Sequence, residues 1–231
     1  MNDMLITPRL RDENNQQYAY RIIKNNIMRT ILKPGELLDE RILSDTLGMS
    51  RTPIREALIS LKQEYLVDIY PQRKTRVSLI DLSIVEDGLF VRSKIEPYIF
   101  ETLMENPDSA TFLKLKENLV LQKQAISDEE HILNFLDYDN SFHKIMYLGA
   151  GKEKIWDCIS SISAQFNRIR YFDTLFGSER LSDVYAEHEK LFNVLITKNS
   201  DHVDTKELVE EHLSGYQINL PRLLEYNKEY F

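Results

Sequence analysis

Residues 39–77 (DERILSDTLGMSRTPIREALISLKQEYLVDIYPQRKTRV) constrain the fold more than any other part of the chain. Asp39 can cap a short amphipathic helix that ends at Leu47-Gly48, and glycine supplies the left-handed residue that closes a helix. Thr52-Pro53 place an oxygen cap and a first-turn proline at the start of the next helix. In that helix Ile54, Leu58 and Leu61 recur at three- and four-residue spacing, giving it one apolar face. Two short helices joined by a tight glycine turn form a helix-turn-helix, which offers the start of its second helix to the major groove of DNA. Arg51, Thr52 and Arg55 occupy those first turns. Arginine can grip guanine bidentately, while hydroxyls and helix N-terminal amides bind phosphate. Residues 66–70 and 75–79 then read as a hairpin whose tip, Pro71-Gln72-Arg73-Lys74, is basic, as suits a wing lying on the duplex backbone. The competing reading is a solvated helix face with scattered arginines. The agreement in order of cap, turn, basic helix start and basic wing favours double-stranded DNA as the partner.

This segment resembles the winged helix-turn-helix of the GntR family of bacterial transcription regulators. The resemblance rests on Leu37 after Pro34-Gly35, on Glu40-Arg41 with Leu43 and Leu47-Gly48, and above all on Ser50-Arg51-Thr52-Pro53-Ile54-Arg55-Glu56-Ala57-Leu58. It implies operator contacts from Arg41, Ser50, Arg51, Thr52 and Arg55, with Arg73 and Lys74 at the wing. Two departures stand out. Tyr65 replaces the usual glycine after the recognition helix, and Lys74 occupies a position where the family usually has a wing-tip glycine.

At 231 residues the chain has room for two modest domains. Its net charge of −8 looks wrong for a DNA binder until it is divided. Residues 1–80 hold 13 Lys+Arg against 10 Asp+Glu, whereas residues 81–231 hold 16 against 27. The basic surplus is thus confined to the first third, and the acidic remainder favours docking on DNA through one face only. No apolar run approaches the length of a membrane span, and the first residues lack an apolar signal core. A cytoplasmic protein is expected, and a lone Cys158 suits a reducing compartment and reads as a small buried apolar residue.

Helical periodicity over residues 18–32 precedes Lys33-Pro34-Gly35, which ends that helix. The winged head is expected over residues 12–80. Asp81-Leu82-Ser83 is a polar joint with a helix cap, and residues 81–231 read as an all-α bundle. The expected bundle helices are 84–104 with a bend at Glu96-Pro97, 110–125, a third capped by Asp128 and running to 148, 154–172, 178–198 and 205–226. The fold class is therefore mainly α, a winged helix-turn-helix followed by an all-helical domain.

Three of the five histidines fall at informative places. Asp139 and His143 are four apart on one helix, while His188 and His212 lie midway along two later ones. One carboxylate and three imidazoles converging in a bundle core would leave open positions on a divalent transition metal such as Zn, Ni or Mn. The alternative is a set of surface or satisfied core histidines. His131 and His202 receive no ligand role, Glu187 and Glu189 read as a charged helix edge, and Tyr138, Phe142, Tyr147 and Phe166 read as core.

The Asp-x-x-x-His pair, the later Glu-His and the final His-Leu resemble the FCD effector domain, a common partner of the GntR head. That resemblance implies that Asp139, His143, His188 and His212 are the metal ligands. It also matches Arg92 and Glu96 to an Arg-x-x-x-Glu pair, so that Arg92 would face a cavity and bind an acidic effector. The alternative for Arg92 is a surface ion pair with Glu96. Asn167, Arg168 and Arg170 are further candidates for the cavity wall. The whole implies a homodimeric regulator, by family habit a repressor, that binds operator DNA and senses a small organic acid. Two rivals stand beside it: a mononuclear metal enzyme built on the same four residues, and a metal-free regulator that binds an acyl or apolar ligand.

Overall fold

The computed structural model describes residues 4–70, 74–106, 108–127, 132–175, 180–197 and 204–231. The head opens with α1 (Asn15–Met28), entered through a reciprocal cap in which Asn14 and Gln17 bond each other's backbone. α1 stops four residues short of the stretch that periodicity suggested. Thr30 takes a left-handed φ of 56° there, and the Leu32 amide reaches back to the Asn26 carbonyl. A two-residue strand β1 (Leu37–Leu38) follows, then α2 (Glu40–Leu47), capped by Asp39 and closed by Gly48 at φ 62°.

α3 (Arg51–Gln63) begins two residues earlier than expected, so Ser50 is its N-cap residue and makes no side-chain capping bond. Pro53 therefore sits at the third helical position rather than the first. The hairpin forms as β2 (Val67–Ile69) and β3 (Thr75–Val77), antiparallel, with Asp68 opposite Arg76. β1 adds to the outer edge of β3, a pairing too short to carry a readable alternation. Ile22, Ile23 and Ile27 of α1 pack with Ile54, Ala57, Leu58 and Leu61 of α3 as the core of the head.

The body begins with α4 (Leu82–Glu105), capped by Asp81. It runs unbroken through Pro97, where the sequence suggested a bend. Next come α5 (Ser109–Ile126), capped by Asp108, and α6 (Asn134–Gly149); the cap expected from Asp128 falls outside the described residues. The single helix expected over 154–172 is two, α7 (Glu153–Ile162) and α8 (Ala164–Leu175), separated at Ser163. α9 (Leu181–Thr197) and α10 (Thr205–Ser214) follow. The last expected helix is interrupted by a 3-10 turn, Gly215–Ile218, before α11 (Leu220–Tyr226). Cys158, expected to be buried, is exposed. No described helix is long and apolar enough to cross a membrane.

Head and body share a core. Ala125, Phe135, Leu136, Ala164, Tyr171 and Leu181 of the body join the apolar cluster of the head. α8 also grips the connecting segment by polar contacts. Gln165 donates to the Leu79 carbonyl (3.3 Å), and Arg168 Nη1 donates to the Ser78 carbonyl (2.8 Å). The Ser78 hydroxyl in turn donates to the Tyr65 carbonyl at 2.6 Å.

Tyr65 holds φ at 59°, which explains why glycine would be expected there: a Cβ in the left-handed region costs about 1–2 kcal/mol. Its carbonyl contacts survive any side-chain change. Tyr65→Gly is therefore expected to raise the midpoint of thermal unfolding by about 2–4 °C for a chain of this size. A lowered midpoint in calorimetry would show that the ring, not the backbone, governs this turn.

Candidate metal centre and nucleic-acid interface

The four residues singled out in the body meet at one point. α6 places Asp139 and His143 on one face a turn apart, α9 supplies His188 and α10 supplies His212. One donor atom from each lies within 4.8 Å of the other three. His212 Nε2 is 3.1 Å from both His143 Nε2 and His188 Nε2. Asp139 Oδ1 is 3.7 Å from His143 Nε2, and Oδ2 is 3.8 Å from His188 Nε2.

The opposite nitrogen of each ring explains this convergence. His143 Nδ1 lies 2.8 Å from Glu96 Oε2, and Glu96 Oε1 accepts from Arg92 Nε at 2.5 Å. His212 Nδ1 donates to Glu187 Oε2 at 2.8 Å, and Glu187 Oε1 accepts from Arg180 at 3.1 Å. His188 Nδ1 is 2.7 Å from Gln122 Oε1. The orientation of that amide is fixed from further out. The Tyr138 carbonyl can only accept, so Asn118 turns its NH2 to it (3.0 Å) and its oxygen to Gln122 Nε2 (2.7 Å). The Nδ1 atoms of His188 and His212 therefore face hydrogen-bond acceptors and that of His143 lies at ion-pair distance from a carboxylate, an arrangement that favours the proton on Nδ1 and leaves Nε2 as a lone pair directed at the centre. Phe142 stacks on the His188 ring, with centroids 4.4 Å apart, and holds its plane.

Charge states match that geometry. Burial alone would raise Asp139, but Arg170, paired with Oδ2, and the surrounding imidazoles hold it well below the usual carboxylate range. Burial likewise opposes ionisation of Glu96, yet Arg92 and His143 bring its pKa down to about 2. Desolvation lowers His143 and lowers His188 much further. The cluster thus presents an ionised Asp139 and, at His143 and His188, imidazoles held towards their neutral form, the protonation states that metal ligands need.

The residues fit a metal ion. Lone pairs on His212 Nε2 and on the two Nε2 atoms 3.1 Å from it repel one another unless a cation lies between them, and neighbouring nitrogen ligands about 2.0–2.1 Å from one ion stand about 3 Å apart. Asp139 Oδ1 is buried and accepts no hydrogen bond, which leaves it free to ligate. Every ring is oriented by a partner on its far side, as is usual for ligating histidines.

Beside the cluster lies a cavity of about 50 Å³, room for a few waters, lined by Arg92, Phe166, Arg170, Arg180, His143 and His212 among others. The Arg92–Glu96 pair is fully buried, not the surface pair that spacing allowed, and Arg92 Nη2 has no hydrogen-bond partner. The Arg92 and Arg170 guanidiniums lie 5.4 and 5.5 Å from the Phe166 ring centroid, so Phe166 is a wall of the cavity as well as core. Asn167 does not reach the cavity; it lies against α1 in a separate depression and accepts from Arg170 at 3.3 Å. Arg168 points the other way, to Ser78. Sequence reasoning missed Gln122, Glu187 and Arg180. The first two share a helix face with core residues, and Arg180 precedes its helix, so none carries a spacing signal.

On the head, Arg41, Ser50, Arg51, Thr52 and Arg55 are all exposed around the start of α3, and Lys74 is exposed beside the wing. Arg55 Nε is engaged by Glu40 at 2.7 Å. Arg73 falls outside the described residues. The missing side-chain cap at Ser50 leaves the amides of the first turn available to a phosphate.

Family comparison agrees over both parts. The model for bacterial regulatory proteins of the gntR family matches residues 15–77, and the model for the FCD domain matches residues 87–215. The HTH-type transcriptional repressor RspR of Escherichia coli K12 is 29% identical over 217 residues, covering 93% of this chain and 92% of its own. Two solved structures share the fold. One is a GntR regulator from Rhodococcus sp. RHA1 (TM-score 0.72, 17% identity, 90% of this chain and 97% of that one). The other is McbR/YncC of E. coli (TM-score 0.69, 21% identity, 92% and 98%).

Gln122→Leu keeps every ligand but removes the acceptor on His188 Nδ1. It is expected to weaken zinc binding about 10–100-fold in a chelator competition, the usual cost of losing an orienting partner. Glu187→Gln, which still offers an oxygen to His212, should cost less. Equal losses in the two would refute the assigned role of these acceptors.

Proposed function

The chain belongs to the gntR family of bacterial regulatory proteins with an FCD domain, a DNA-binding transcription regulator and not an enzyme, and from that premise we propose that it is a metal-dependent sensor of a small organic acid. The observation that carries this reading is the unpartnered, buried Nη2 of Arg92 on the wall of a cavity that also takes in His143 and His212 of the cluster. Asp139, His143, His188 and His212 would hold a divalent ion such as zinc, nickel or manganese. Such an ion supplies open coordination positions to a carboxylate oxygen. Arg92 and Arg170 then bind the rest of that carboxylate through charge-assisted hydrogen bonds. A metal-free site for an acyl or apolar ligand is disfavoured by the inward lone pairs of the cluster.

Two helices tie the cavity to the head. On α6, Asp139 lies two residues from Asp137, which accepts from Arg29 of α1 at 2.8 Å. On α8, Arg170 pairs with Asp139 while its neighbour Tyr171 donates to Asp137. Any move of Arg170 towards an acid therefore displaces the turn that clasps α1. The protein acts as a homodimer in this reading, its two heads matching two half-sites, and exposed Phe90 and Tyr98 on α4 offer apolar surface for association. Repression is proposed from the similarity to RspR, and a cytoplasmic location from the DNA target.

Fluorescence anisotropy with duplex from its own upstream region tests the reading. Arg51→Ala is expected to weaken binding by about 1–3 kcal/mol. In the same assay Arg29→Ala should keep binding in the absence of ion but lose the change in affinity that zinc and an acid together produce. Salt-insensitive binding, or an undiminished response in Arg29→Ala, would contradict the scheme.

A further inference from the structure

We propose that Arg180 selects the charge of the effector, receiving the far anionic group of a short α,ω-dicarboxylate whose near carboxylate lies against the Asp139–histidine cluster. The proposal rests on the reading of the cavity as an acid-binding site and deepens it.

Three guanidiniums line this one cavity: Arg92, Arg170 and Arg180. They differ in depth. The Arg92 side chain is 2% exposed, that of Arg170 14% and that of Arg180 19%; Arg170 belongs to the inner end through its pairing with Asp139, and Arg180 has no such contact with the cluster's carboxylate. It is also set back from the cluster by one carboxylate and one imidazole, since it bonds Glu187 at 3.1 Å and Glu187 bonds His212 at 2.8 Å. The lining therefore presents a cationic end at Arg92 and Arg170, apolar walls including Leu181, Val184 and Leu213, and a second cationic end at Arg180. A ligand complementary to that order carries an anion at each end of a short apolar chain.

Charge balance points the same way. Each guanidinium is already matched by one carboxylate: Arg92 by Glu96, Arg170 by Asp139 and Arg180 by Glu187. A divalent ion among the imidazoles adds two positive charges that no further protein group cancels, and uncompensated charge in a desolvated site is costly. Asp173, the remaining carboxyl on the wall, accepts from Asn219 at 3.1 Å. The charge of the ion therefore calls for an anionic ligand.

The position of Arg180 is built in. Its guanidinium lies against the backbone of Gly215, at the break between α10 and the 3-10 turn, where any Cβ would overlap Nη2. Gly215 has a φ of −54°, so glycine is not required there by backbone conformation. The space it leaves is taken by Arg180.

Calorimetric titration of the zinc-loaded full chain with butanoate and butanedioate tests this. The wild type is expected to bind the dicarboxylate at least about tenfold more tightly, the scale of one charge-assisted contact. Arg180→Gln, titrated as protein carrying one zinc per chain, should bring the two affinities together by weakening the dicarboxylate alone. Gly215→Ala, which leaves Arg180 in place but pushes its head out of the cavity, should do the same. Wild-type protein that binds both acids equally, or a preference that survives both variants, overturns the proposal while leaving the acid-binding reading intact. Loss of zinc from Arg180→Gln also overturns it, because the residue would then act through Glu187 on His212. Zinc-loaded wild type that binds neither acid overturns the proposal and the reading beneath it together.

Discussion

Each of the three buried imidazoles is held by an acceptor on its outer nitrogen, and the body of this protein depends on that constraint. Two of the acceptors are carboxylates that each bridge an arginine to a histidine, Arg92–Glu96–His143 and Arg180–Glu187–His212. The third is an amide chain anchored on the Tyr138 carbonyl, one residue from Asp139. These contacts fix three tautomers at once and leave three lone pairs facing one another. Such an arrangement is unfavourable in isolation, and the packing of α4, α5, α6, α9 and α10 sustains it. A fold that maintains this repulsion is preorganised for a cation.

A further helix, α8, connects this cluster to the head. α8 has one face at the cavity through Arg170 and another at the linker through Gln165 and Arg168. Arg168 is fully buried, and no carboxylate lies within ion-pair distance among the described residues; burial lowers its pKa, and it is held by the Ser78 carbonyl and hydroxyl. A buried guanidinium held by neutral acceptors alone is costly. Here it pins the segment where the wing ends and the body begins. The head is thus positioned by a few polar contacts around a shared apolar core.

Much of this was readable from residue order. Asp39, Gly48 and the apolar spacing of Ile54, Leu58 and Leu61 determine the helix-turn-helix because caps and periodicity are local. The Asp139–His143 pair was equally legible, being one helical turn apart. His188 and His212 were legible as a ligand set mainly through family resemblance, since nothing local says that two distant helices bring them together. Gln122 and Glu187 were invisible for the same reason. Each is an ordinary polar residue in its own helix, given meaning by a partner 66 or 25 residues away. The breaks at Ser163 and Gly215 were missed because neither position interrupts the apolar pattern, whereas Pro97 was overread. A helix packed on several sides tolerates one absent amide donor.

The central claim, that this cluster is a metal centre, is tested most directly by X-ray absorption at the edge of an ion retained after gel filtration. The account predicts a stoichiometric ion with three imidazole nitrogens and carboxylate oxygen in its inner shell. A protein that emerges metal-free after incubation with zinc, nickel and manganese, or an ion with fewer than two imidazoles around it, would contradict it.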